Sequence, residues 1–66
     1  MKFTVKEKVV FVSKRRSAKI WIVEGKTNWR PNHILLSEDG RGPLIPVHED
    51  DVRPATQDEL DTGARK

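Results

Sequence analysis

The apolar residues of this chain come in short, β-branched runs separated by turn-forming clusters, a spacing that suits small strands and little else. Val9-Val10-Phe11-Val12, flanked by Lys8 and Ser13, is too short to be a helix and reads as a first strand. After the polar break Lys14-Arg15-Arg16-Ser17 comes Ala18-Lys19-Ile20-Trp21-Ile22-Val23-Glu24. Here Ala18, Ile20 and Ile22 share one face and Lys19, Trp21 and Val23 the other. That second face is mixed, so Trp21 is expected to be partly exposed. Glu24-Gly25-Lys26-Thr27-Asn28 is turn chemistry, with Gly25 free to take positive φ. Trp29-Arg30-Pro31-Asn32 prolongs the connection, because Pro31 keeps Arg30 out of the helical region and cannot donate to a ladder.

A third strand is expected at His33-Ile34-Leu35-Leu36-Ser37, followed by a reversal over Glu38 to Pro43 centred on Asp39-Gly40. Leu44-Ile45-Pro46-Val47 makes a fourth, and its Pro46 places it at an edge or a strand end. His48-Glu49-Asp50-Asp51 suits a single helical turn, and Val52-Arg53-Pro54 returns to extended structure. Beyond Ala55 the only large apolar residue is Leu60, so residues 56–66 are expected to form a disordered charged tail or a frayed helix. The fold class that follows is all-β, a small antiparallel barrel or pair of packed sheets in one domain over residues 1–55.

Sixty-six residues bury only about 60 % of the unfolded chain's surface, which argues against a deep enzyme cleft in a monomer. With no cysteine there is neither a disulfide framework nor a thiolate metal site, so stability must come from the apolar core or a partner subunit. The Met1 to Lys6 stretch lacks the apolar run of a signal peptide, and no segment approaches the roughly 20 apolar residues of a membrane span. A cytoplasmic protein without membrane attachment, monomeric or a small homo-oligomer, is the expectation.

Charge is divided unevenly. Residues 1–33 carry nine Lys or Arg against two Glu, whereas residues 34–66 carry four against eight Asp or Glu, so a net charge of +3 conceals a dipolar molecule. Lys14, Arg15, Arg16 and Lys19 crowd the connection between the first two strands, more cations in one loop than solubility requires. Such a loop offers point charges and guanidinium forks to an acidic partner, and Lys26 and Arg30 in the next connection extend the same surface if the two loops lie together. Their bland use is to keep a small β protein soluble and block edge pairing. Trp21 and Trp29 each lie within two residues of positive charge. Trp21 is expected in the core, and Trp29, beside Arg30-Pro31, is the better candidate to stack on a base.

The segment Gly42-Pro43-Leu44-Ile45-Pro46-Val47-His48-Glu49-Asp50-Asp51-Val52-Arg53-Pro54-Ala55 resembles the end of SH3-like barrels, where a strand, a one-turn helix and a short closing strand follow one another. It is similar to the carboxy-terminal DNA-binding domains of retroviral and retrotransposon integrases and to related nucleic-acid-binding barrels; the likeness covers about residues 5–55. In place of the family's usual glycine near the start of the first strand stands Lys6-Glu7-Lys8. The resemblance implies an SH3-like barrel of about five strands whose first connection is a binding loop.

Nothing in the chain fixes a nucleophile, base and orienting acid together, although it holds Ser13, Ser17, Ser37, His33 and His48. The carboxylates of His48-Glu49-Asp50-Asp51 diverge on a single turn and suit solvation better than a metal ion. The leading expectation is a non-catalytic module without cofactor or metal that grips nucleic acid, DNA ahead of RNA, through Lys14, Arg15, Arg16, Lys19, Lys26 and Arg30, with Trp29 stacking. The alternative is a small adaptor or inhibitor that docks on a larger nucleic-acid-processing machine through its acidic turn, its edge strand near Pro46 and its tail. A third class is an enzyme whose site is completed across an oligomer interface.

Overall fold

A computed structural model describes residues 3–13, 15–38 and 41–64. Five antiparallel strands form one sheet: β1 (Lys8–Phe11), β2 (Trp21–Lys26), β3 (His33–Glu38), β4 (Arg41–His48) and β5 (Val52–Pro54), with a 3-10 turn at Glu49–Asp51 before β5 and a helix α1 (Gln57–Thr62) after it. Their spatial order is β4-β3-β2-β1-β5, so the last strand returns to pair with the first. The all-β class, the five strands and the helical turn ahead of the fifth agree with the sequence reading.

Topology forces the sheet to curl. Laid flat, β4 and β5 would lie four strand spacings apart, about 19 Å. The chain from His48 to Val52 reaches at most about 14 Å, so the two ends of the sheet must approach each other. The core records that curvature: Val47 from one end of the strand order and Val52 from the other share a single buried cluster with Val9, Phe11, Val23, Ile34, Leu36 and Phe3. Trp21 packs against this cluster with its ring edge-on to Phe11, 5.8 Å between centroids, and donates from its indole Nε1 to Ser17 Oγ at 3.1 Å. The Trp21 and Val23 face of β2 is therefore the inner one, while Ile20 and Ile22 are half-buried.

Several boundaries differ from the sequence reading for physical reasons. Strand β2 begins at Trp21 and runs through Gly25 and Lys26, which were expected to turn; the strand absorbs them through a register shift between Val23 and Gly25. Gly25 does not use positive φ, which occurs instead at Lys6, Asn32, Gly42 and Gly63. Strand β4 starts at Arg41, earlier than expected, and its end position in the strand order agrees with Pro46. The Asp39-Gly40 reversal lies outside the described residues.

The largest difference is at the tail. Residues 57–62, expected to be disordered or a frayed helix, form a capped helix α1, closed at its start by a capping box between Thr56 and Glu59 and at its end by Gly63 with φ of 81°. Arg53 on β5 donates two parallel bonds to the Glu59 carboxylate, Nη1 to Oε1 and Nη2 to Oε2, each 2.8 Å. Arg53 is the register partner of Val10, so both project from the face of the sheet opposite Val9 and Phe11. The fork thus docks α1 on the outer side of β5, the face that also carries Val10, which is fully buried although it is no part of the main core.

Candidate nucleic-acid interface

Two loops carry the predicted cations. The β1–β2 loop, residues 12–20, leaves the sheet beside Phe11, and the β2–β3 loop, residues 27–32, leaves it beyond Lys26. Both reach the same 3-10 turn. Arg15 and Arg16 share a recess with Asp50 and Asp51, while Lys26 and Arg30 share another with Glu49. The two basic loops therefore flank one acidic turn.

That turn divides the predicted grip. Arg16 lies 4.8 Å above the Phe11 ring and donates to Asp51 Oδ2 at 3.1 Å, so it holds the β1–β2 loop against the turn. Lys19 bonds Glu38 Oε1 at 2.8 Å. Arg15, Lys26 and Arg30 are exposed and, among the described residues, their side chains make no ion pair. Lys14 lies outside the described residues. The structure thus separates the seven predicted residues into two that brace the fold, four that face solvent with Trp29 among them, and one not described.

Trp29 and Trp21 divide as the sequence reading expected. Trp21 is half-buried against the core, whereas Trp29 is 68 % exposed. The loop beneath Trp29 is nevertheless tied down. Thr27 is buried; its hydroxyl donates to the Arg30 carbonyl at 2.7 Å and accepts from the Arg30 amide at 3.3 Å. Its own amide donates to the His33 carbonyl at 3.2 Å, and the Glu49 amide donates to the Asn32 carbonyl at 2.8 Å. Asn32 takes the left-handed conformation, φ of 60°, that closes the loop, one of the few positions where a non-glycine residue tolerates it. A large apolar ring is held in water on a braced scaffold, against the hydrophobic gradient that would otherwise bury it. The same loop lines a cleft of ≈ 370 Å³ with Lys26, Arg30, Asn32 and Glu49 on its walls.

Sequence reasoning missed Thr27 and Asn32 as positioning residues. A threonine within turn chemistry is a signal for side-chain-to-backbone bonding, but only the folded loop shows that its hydroxyl meets the Arg30 carbonyl. His33 and His48, register partners on β3 and β4, stack edge-on with 5.3 Å between ring centroids. His48 Nδ1 accepts from the Asp50 amide at 3.1 Å and caps the 3-10 turn. Among the described residues no group of three or more His, Asp or Glu side chains is placed to hold a metal ion, and no helix is long and apolar enough to cross a membrane.

Comparison of the chain with protein-family models, with curated proteins and with solved structures gives no match.

Proposed function

We propose that this chain is an SH3-like barrel acting as a non-catalytic nucleic-acid-binding module, with its contact surface on the β2–β3 loop and Arg15. The observation that carries the reading is the exposed Trp29 on a loop braced by Thr27, with the unpaired cations Lys26 and Arg30 on either side of it in sequence. An indole in that setting meets the π-face of a base while the cations meet its phosphates. The strand order β4-β3-β2-β1-β5 and the 3-10 turn ahead of the fifth strand support the barrel assignment. Arg16 and Lys19 leave the predicted contact set, because a phosphate would have to compete with Asp51 and Glu38 for them.

Three contacting cations predict a shallow salt dependence, a slope of log K on log salt of about −2 to −3, where six would give about −4 to −5. Fluorescence anisotropy of a labelled oligonucleotide across a salt series measures it. Replacing Lys26 and Arg30 together with alanine is expected to bring the slope close to −1 or lower in magnitude; a slope unmoved by that change would refute the contact surface.

A protein-docking module is the second reading, and the Arg16–Asp51 and Lys19–Glu38 pairs favour it by removing two cations from the grip. Exposed Val12 and Leu44 would then supply the apolar contact. Absence of nucleic-acid binding even at low salt would move the assignment there.

A further inference from the structure

Resting on the nucleic-acid reading, we infer that the ligand is single-stranded, with an unpaired base stacked on Trp29 and the neighbouring phosphates held by Lys26 and Arg30. The first argument is access. Trp29 is 68 % exposed on a loop whose backbone is tied down by Thr27, so it presents an open platform. In a duplex the faces of the bases are covered by their neighbours, and a platform of this kind reaches them only at an end or after a base is extruded.

The second argument is charge. Between the β1–β2 and β2–β3 loops stands the 3-10 turn with three successive acids, Glu49, Asp50 and Asp51, of which Asp50 and Asp51 are exposed. A duplex long enough to touch both basic loops would lay phosphates across those carboxylates, and the like charges oppose it. A single strand is narrow and flexible, so its main grip can be the β2–β3 loop, with Arg15 a lesser contact. Glu49 shares the cleft with Lys26 and Arg30. Its carboxylate repels phosphates and so favours a strand that keeps them on the cations.

The third argument is the size of the grip. Two cations beside one aromatic ring match a footprint of a few nucleotides, in which stacking supplies a large share of affinity and sequence preference is slight. The same two charges are few for holding a duplex by its phosphates alone.

The test titrates the full chain at low salt into labelled single-stranded DNA, single-stranded RNA and duplex DNA of equal length, following anisotropy together with tryptophan emission, for the wild type and for Trp29→Ala. Because its indole lies in solvent, Trp29→Ala leaves the core intact, which an unchanged thermal midpoint verifies. At least one single strand is expected to bind on the order of ten-fold tighter than the duplex, quenching emission, with Trp29→Ala losing the quenching and on the order of ten-fold in affinity. Duplex binding equal to or tighter than both single strands, or single-strand affinity untouched by Trp29→Ala, overturns the inference while leaving the nucleic-acid reading in place. No binding to any of the three probes overturns both.

Discussion

Glu24 and Trp29 show how far single residues depart from what their type alone suggests. Glu24, expected where the second strand gives way to a turn, lies on β2 and is bonded by Lys6 Nζ at 2.6 Å and by the Ser37 hydroxyl at 2.7 Å. The Lys6 ammonium first, and the Ser37 hydroxyl after it, hold its carboxyl below the ordinary value of 4.5. A lowered value in the folded state means a contribution to stability that is complete above pH 4.5 and is lost as pH falls through the lower folded value. Thermal midpoints of wild type and Glu24→Gln measured from pH 7 to pH 3 should therefore differ most at neutral pH and converge in acid; a constant gap would show that the carboxylate's charge is irrelevant. Trp29 was legible as the freer of the two tryptophans because Pro31 and Asn28 mark its surroundings as a loop. The ion pairs of Arg16 and Lys19 were not legible, since Asp51 and Glu38 are 35 and 19 residues away and only the pairing of β1 with β5 and of β2 with β3 brings them near.

At the scale of elements, β1 and β3 could be read from their apolar runs, β5 from the return to extended chemistry at Val52-Arg53-Pro54, and the helical turn from its four polar residues between two strands. Helix α1 could not, because its support is tertiary. Six residues are too few to be stable alone, and the helix survives through the Thr56–Glu59 capping box and the Arg53 fork on a carboxylate that is 1 % exposed. The Thr56-x-x-Glu59 spacing is a capping signature in the sequence, but without a following apolar run it carries little weight by itself. Thr56→Ala should cost about 0.5–2 kcal/mol in urea unfolding. Arg53→Ala should do more, because it takes both guanidinium bonds from a buried carboxylate, and hydrogen exchange should then show the α1 amides and Val10 losing protection together. Exchange unchanged over α1 in Arg53→Ala would mean that the helix docks by other contacts.

The whole molecule combines a small closed core with a surface on which opposite charges alternate. Its dipolar sequence is partly neutralised in three dimensions, because the acidic turn is inserted between the basic loops rather than on the far side of the sheet. Among the described residues, the β2–β3 loop combines an exposed ring with two cations that make no ion pair, on a braced backbone. The most direct test of that site is to record amide chemical shifts of the ¹⁵N-labelled chain while adding a short single-stranded oligonucleotide. The shifts should concentrate on residues 26–33 and the Trp29 indole, with a smaller response at Arg15 and none across α1; changes confined to β4 or α1, or no changes at a saturating concentration, would contradict the assignment of this loop as the binding surface.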